Sequence, residues 1–404
     1  QAERGAIAEI WHRVAEDFAP FDVDVTTEEP AQFTSTTGRV LITRDDDEFD
    51  ASMPHAGAGG VAYVNVWGRT GTYDYAYYSP ALVYYENLGN GQPRYVAEAA
   101  SHELGHNLAL AHDGTSTVTY YSGHNAGPSG GYIDWAPIMG NSYGADVSQW
   151  SRGDYADASN QQDDLLEIAN RLSYRFDDHA NTQSQATPLA VDGSGNVLST
   201  NPELDPFNVD PDNKGVIEDS DDVDYFVLNL GTGIVNLTLH PAWDAFYNDA
   251  SRGANLDLHV ALYDPSGELV AEDNPATDTD GTLLASVSAG TYYLAVKGVG
   301  AGDPQTAYDA YGSTGQYFIN GSVPIGTPNG APIAVDDNGS APEDGSVVLA
   351  VLANDSDPDG DTLDIVSMAQ PAHGLTVLNG TTITYTPAAN YHGNDAFAYT
   401  ISDG

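Results

Sequence analysis

Residues 102–113 read HELGHNLALAHD, and few local structures can use that spacing. His102 and His106 are four residues apart, so on an α-helix one imidazole stands a turn above the other on the same face. Two imidazoles so placed can grip one metal ion. His112 comes six residues after His106, too far along to share that face, so it can join them only if the chain turns back after His106. The preceding segment, QPRYVAEAAS, carries helix-forming Ala and Glu with a proline near its start, which predicts a helix from about Pro93 into the motif. Glu103 points away from the two-histidine face by about a hundred degrees, where it reaches a water activated by the metal. There it can accept the water's proton as that water attacks a peptide carbonyl, and hand it to the leaving amine. Three neutral ligands leave a fourth position open, as a catalytic zinc requires and a structural one does not. The plain alternative is three ordinary surface or capping histidines. A chance match to the four fixed positions arises on the order of once in a few thousand chains of this length.

No cysteine is present, so disulfides, Cys-based zinc sites and thiol nucleophiles are excluded, and any metal must sit on His, Asp and Glu. Twelve Lys plus Arg stand against 59 Asp plus Glu, a formal net charge of −47. A broad basic patch is therefore ruled out, and with it nucleic acid and anionic membrane as expected ligands. Much of the acidity lies in Asp-rich loops with Gly, Asn and Pro, which suits calcium coordination as well as plain solvation. No run of 18 apolar residues exists. The first residues carry neither an initiating Met nor a signal-peptide core, so Gln1 is read as a processing boundary and the chain as a mature, secreted, extracellular protein whose signal and propeptide have been removed.

At 404 residues the chain is expected to be multidomain. Residues 1–182 carry the helical signal: Ile7, Ile10, Trp11, Val14 and Phe18 recur at helical spacing, as do Leu165, Leu166, Ile168, Ala169 and Leu172. Strand-like runs lie between them at Val40–Arg44, Gly60–Val66 and Leu82–Tyr85, which predicts an α/β (α+β) domain. Past Asn181 the text turns polar. From about Asp222 to Val323 short strand-like runs follow at regular spacing (DYFVLNL, VNLTLH, LDLHVALYD, LLASV, TYYLAVKG, GQYFINGSV), predicting an all-β sandwich over 183–325. After the linker PIGTPNGAP a second all-β sandwich is expected over 331–404, truncated at its C-terminal edge.

HELGHNLALAHD resembles the metzincin signature, HExxHxxxxxH followed by Asp, and APIMG at 136–140 resembles the Met-turn that passes beneath the zinc in that clan. The likeness, to reprolysin-like secreted bacterial members, implies one catalytic zinc on His102, His106 and His112, with Glu103 as general base, Met139 as the hydrophobic floor and Asp113 as a supporting carboxylate. It also implies that the strand at Gly60, Val61, Ala62, Tyr63 and Val64 lies along the cleft and pairs with extended substrate, an internal strand being the alternative. Two positions depart from the pattern. Where the clan has Gly three residues before the third His, this chain has Ala109, and a positive φ there would cost Ala about 1 kcal/mol. Tyr143 sits two residues beyond the place where some members carry a Tyr, so no ligand or oxyanion role is assigned to it.

Residues from about 184 to 323 resemble the bacterial pre-peptidase C-terminal domain, and 331–404 resemble the cadherin-like modules of bacterial surface and secreted proteins. Asp355, Asp357, Asp359 and Asp361 alternate in a Gly/Pro loop at a spacing that suits structural Ca2+, with Asp336, Asp337 and Glu343 to complete the shell; a solvated acidic turn is the alternative. Asp210–Asp221 mimics an EF-hand loop but puts Lys214 at a ligand position and lacks flanking helices. GPSGG at 127–131 fits a nucleophile elbow without the strand before it or the helix after it. The expectation is a secreted zinc endopeptidase acting on extracellular protein or peptide substrates, matrix proteins among them. The rival readings are a calcium-dependent adhesion or matrix-binding protein, in which the β modules do the work, and a zinc hydrolase of another substrate.

Overall fold

Helical spacing near the N-terminus yields α1 (Ala2–Asp17), whose Val14, with Phe18 just beyond it, is buried against the centre of the N-terminal half. The computed structural model describes residues 2–70, 78–124, 133–199, 213–242, 253–326, 331–358 and 360–403. The stretch 127–131 and the start of the EF-hand-like stretch, 210–212, lie outside them.

Residues 1–325 form one compact unit and 326–404 a second. In the first, β1 (Arg39–Thr43), β2 (Gly60–Val61) and β3 (Pro80–Tyr84) make a sheet in the order β1-β3-β2. β1 runs parallel to β3 and β2 antiparallel to it, which leaves β2 on an edge. The expected strand over 60–66 thus shrinks to two residues, and Ala62, Tyr63 and Val64 leave the sheet. The reason is a competing set of partners. Asn65 and Val66 donate their N–H groups to the carbonyls of His106 and Asn107 (2.8 and 3.0 Å), and the Asn107 side chain donates to the Tyr63 carbonyl (3.0 Å). The segment therefore caps the end of the next helix, whose last carbonyls have no partner inside the helix itself.

That helix, α2 (Pro93–Asn107), begins at the proline, where a missing N–H costs nothing. Its small Ala97, Ala99 and Ala100 let it sink against α1 and β3 until twelve of its residues are buried. A short parallel pair, β4 (Trp135–Pro137) with β5 (Val147–Gln149), and α3 (Asp164–Leu172) complete this half. Asp163 caps α3 by accepting the Leu166 N–H at 2.9 Å.

The strands β6 (Thr187–Pro188), β7 (Asn196–Val197), β8 (Lys214–Ile217), β9 (Asp224–Leu230), β10 (Gly233–Pro241), β11 (Leu258–Tyr263), β12 (Leu269–Asp273), β13 (Gly281–Val287), β14 (Gly290–Gly298) and β15 (Gly315–Ser322) build two facing sheets. One runs β13-β10-β15-β7 with β8 also on β15, the other β12-β11-β14-β9-β6. Alternation does the sorting: Phe226, Leu228 and Leu230 of β9 and Val235, Leu237 and Leu239 of β10 all point into one shared core. The EF-hand-like expectation fails here, because Lys214–Ile217 is a strand bonded to β15 and not a loop.

The sandwich and the helical half are joined by buried polar contacts. Asp17 accepts from Asn255 Nδ2 (2.9 Å) and from Ser101 Oγ, while its carbonyl takes the Trp150 indole N–H (2.7 Å). Glu16 Oε1 accepts the Gln316 N–H at 2.9 Å, and its Oε2 is buried with no hydrogen-bond partner among the described residues. A Cβ on Gly315 would stand 2.2 Å from Glu16 Oε1, so this junction needs a glycine. Further across, the Tyr311 hydroxyl donates to Asp163 (2.6 Å) and accepts the Leu165 N–H (2.9 Å), and Trp135 stacks on Tyr308.

In the second unit β16 (Val347–Leu349), β18 (Gly374–Asn379) and β19 (Thr382–Pro387) pair in the order β16-β19-β18, and β17 (Asp364–Met368) pairs with β20 (Tyr399–Ser402). Its core is thin, with Val351, Thr376 and Ile383 buried. Among the described residues no helix is long and apolar enough to cross a membrane.

Burial pushes the Glu16 carboxyl up from 4.5 to about 8. A carboxyl whose pKa rises on folding stabilises the fold most below its unfolded value, and that contribution is lost as pH climbs toward the folded one. Glu16→Gln keeps an acceptor for Gln316 and removes the charge. Thermal unfolding between pH 5 and pH 8 is expected to show a shallower loss of stability in the variant, which gains at least about 1 kcal/mol on the wild type at pH 8.

Candidate metal centre

Three turns of chain bring the histidines together. His102 and His106 follow each other on α2. The helix then ends in a Schellman motif, with Ala109 donating to the His106 carbonyl (2.9 Å) and Leu110 to that of Gly105 (2.9 Å). The reversal that the sequence demanded after His106 is made here, with Ala109 at φ 80°. It delivers His112 to the other two: ring centroids lie 4.9 Å (His102–His106), 5.3 Å (His102–His112) and 4.7 Å (His106–His112) apart, and one nitrogen from each ring lies within 4.8 Å of the others.

Backbone carbonyls orient two of the rings. His102 Nδ1 donates to the Ile138 carbonyl (2.8 Å) and His106 Nδ1 to that of Leu110 (2.9 Å), which leaves each Nε2 with its lone pair free. His106 Nε2 stands 2.9 Å from His112 Nε2, a distance at which two ring nitrogens share either a hydrogen or a cation. Burial lowers all three pKa values, His102 to about 3 and His112 to about 4, with mutual repulsion adding to the effect at both. The rings are therefore neutral across the physiological range, the form that ligates a metal. Three converging imidazole nitrogens suit zinc among the common ions.

Glu103 lies in the gap between α2 and the edge strand. A Cβ on Gly60 would fall 2.7 Å from Glu103 Oε1, so β2 can pass this close only as glycine. Glu103 Oε2 is buried with no hydrogen-bond partner among the described residues, and burial pushes the carboxyl up to about 8. Met139 is fully buried, and a Cβ on Gly105 would lie 2.5 Å from its sulfur. The turn carrying Met139 therefore packs flush against α2 between the two helical histidines, and Gly105 is what permits it. Asp113 ties the same turn to the third histidine: its N–H donates to the Met139 carbonyl (2.8 Å), and its buried carboxylate accepts from Asn160 (3.3 Å) and is pushed up to about 7 by burial. Gly60 sits beside Glu103 with Val61 next to it in β2, while Tyr63 and Val64 are exposed at the end of α2. Gly105 and Tyr120, whose ring lies 4.4 Å from that of His112, were not singled out from sequence. The small residue inside HELGH was a readable signal for the first; the second is set only by the fold.

The acidic loop of the second unit does not gather a cation shell among the described residues. Its carboxylates are spent on the chain: Asp355 accepts the Val335 N–H (2.7 Å), Asp357 that of Asp361 (3.1 Å), and Asp337 the Tyr399 hydroxyl (2.8 Å). The Asp336 carbonyl accepts from Asn354 (3.3 Å), Glu343 is exposed, and Asp359 lies outside the described residues. A different group does converge, in the first unit, where Asp177, Glu218 and Asp222 offer oxygens within 4.8 Å of one another. Glu218 is 5% exposed, its two carboxylate oxygens have no hydrogen-bond partner among the described residues, and Arg175 is 3.8 Å away. Burial, and then the neighbouring carboxylates, push Glu218 and Asp224 up. In a third acidic group, Asp45, Asp46 and Glu86, the last two are already paired with Arg44.

Among known proteins, the family described as a bacterial Ig domain matches residues 329–404, and the second unit is thus an Ig-like β domain. No peptidase family is found with it. A stretch of 163 residues, 40% of this chain, is 29% identical to Protein GAMETE EXPRESSED 2 of Arabidopsis thaliana and spans only 16% of that protein's length.

Ala109 occupies the left-handed region that costs a residue with a Cβ roughly 1–2 kcal/mol. Ala109→Gly is expected to stabilise the chain by about 1 kcal/mol in denaturant unfolding. An unchanged or lower stability would show that the turn is not strained.

Proposed function

We propose that this chain is a secreted zinc-dependent endopeptidase of metzincin type, with His102, His106 and His112 as zinc ligands and Glu103 as general base. The observation that carries the reading is the convergence of three imidazoles on the helix and turn that also carry Glu103, a buried carboxylate with no hydrogen-bond partner for Oε2 among the described residues, packed against the edge strand β2. Zinc held there would act as a Lewis acid and make water acidic near neutral pH. Glu103, in its ionised form, takes the proton from the attacking water and returns it to the leaving amine. The edge of β2 pairs with the backbone of an extended substrate, so that a peptide bond is held by main-chain hydrogen bonds with limited demand on its side chains. Asp113 and the Met139 turn fix the segment that carries the third ligand to the floor of the site.

The sandwich of 183–325 serves as a module of pre-peptidase C-terminal type, and the Ig-like unit, in its cadherin-like form, as an adhesive or spacing module. Structural Ca2+ in this reading sits at Asp177, Glu218 and Asp222, where unpartnered buried carboxylates outnumber the one nearby arginine. The match of 329–404 to a bacterial Ig domain favours surface or matrix attachment as an accompanying role.

Glu103→Ala is expected to lower zinc-dependent cleavage of casein or gelatin by about 100-fold or more, with zinc content unchanged by atomic absorption. Retained cleavage would sink the mechanism; zinc without any proteolysis in the wild type would point to a hydrolase of another substrate. Calcium at about 100 times its Kd is expected to stabilise the wild type by about 2.7 kcal/mol. Glu218→Gln should abolish that shift in a thermal melt, and an equal shift in both proteins would remove calcium from this place.

A further inference from the structure

We propose that Tyr120 is a positioning residue for His112, and that its ring sets how tightly the three histidines hold a metal ion. The inference rests on the zinc reading above.

The three imidazoles are not oriented alike. His102 and His106 are each pinned through Nδ1 to a carbonyl, those of Ile138 and Leu110. Among the described residues no such bond reaches Nδ1 of His112. Its ring instead lies against Tyr120, centroids 4.4 Å apart at 45°, and Tyr120 also reaches His102 at 5.9 Å. An aromatic contact of this kind restricts ring rotation without a directional bond.

The placement of Tyr120 is itself constrained. The loop leaving His112 closes on itself: Tyr121 N–H donates to the Asp113 carbonyl (2.7 Å), and Asn141 N–H, just past the Met139 turn, donates to the Tyr121 carbonyl (2.8 Å). Thr115 N–H donates to the Val118 carbonyl (2.8 Å) across the bend. Gly114 lets the loop double back, since a Cβ there would meet the carbonyl oxygens of Val118 and Thr119 at 2.5 and 2.6 Å. Tyr121 stacks on Tyr155 at 4.4 Å and 13°, anchoring the loop in a small buried cluster. The adjacent Tyr120, 47% exposed, is thereby held over His112. Its exposure means that the ring is spared from the core and free to be trimmed without a cavity.

The test compares the full chain with Tyr120→Phe and Tyr120→Ala, using competition for zinc against a chromogenic chelator and the visible absorption of the cobalt(II)-substituted protein. Loss of a partner that orients a metal-ligating histidine weakens affinity by about 10–100-fold. Tyr120→Ala should therefore lose at least about 10-fold in zinc affinity and change the cobalt bands, while Tyr120→Phe stays within about twofold of the wild type on both. Ala matching the wild type, or Phe as weak as Ala, would overturn the assignment. If the wild type takes up no zinc, the zinc reading falls and this inference with it; if the wild type binds zinc and cleaves while Ala is unaffected, this inference alone falls.

Discussion

The hydrogen bonds by which Ala109 and Leu110 close the end of α2 hold the candidate centre together. They stop the helix at Asn107, turn the chain back and carry His112 to the rings of His102 and His106. The same turn leaves the Leu110 carbonyl where it accepts from His106 Nδ1. One backbone reversal thus supplies both a ligand and the orientation of another ligand. The segment 63–67 depends on it as well, since it leaves the sheet to cap the carbonyls that the helix end exposes. That departure keeps β2 short, with Gly60 against Glu103.

A chain with 12 Lys plus Arg against 59 Asp plus Glu has to bury many of its acids on neutral partners. At the junction of helical half and sandwich, Glu16, Asp17 and Glu98 are buried, and hydroxyls, amides and a backbone N–H do most of the work that Lys and Arg do elsewhere: Ser101, Ser142, Ser148, Asn255 and the N–H of Gln316. Such partners satisfy a carboxyl in either protonation state, whereas an ion pair needs charge on both sides. The consequence is a set of carboxyls pushed up by burial, Glu16 and Asp17 to about 8. At Glu218 and its neighbours the hydroxyls and amides run out, and unpartnered oxygens collect.

The site divides by range. The helix over 93–107, its proline start and the placing of two histidines on one face follow from spacing alone, because an α-helix fixes where residues four apart must lie. The strand alternation of β9 and β10 was equally plain, since period two sorts Phe226, Leu228 and Leu230 to one face. The strand expected over 60–66 was not, because β-branched and aromatic content carries no information about which carbonyls lie across from it. The acidic loop 355–361 is left open by spacing for a related reason. Asp at alternating positions serves a cation or a turn equally well, and here the chain's own N–H groups take the oxygens.

The sequence by itself determined that three histidines and one glutamate would share a helix and a turn, because that information is local and periodic. Only the tertiary structure decided that Met139 passes beneath Gly105, that Asp113 hooks the turn of Met139, that Tyr120 covers His112 and that Asp177 meets Glu218 and Asp222. Each of these joins segments far apart in the chain or fixes the direction of a loop, and packing and hydrogen bonding choose between alternatives that composition and spacing leave equal.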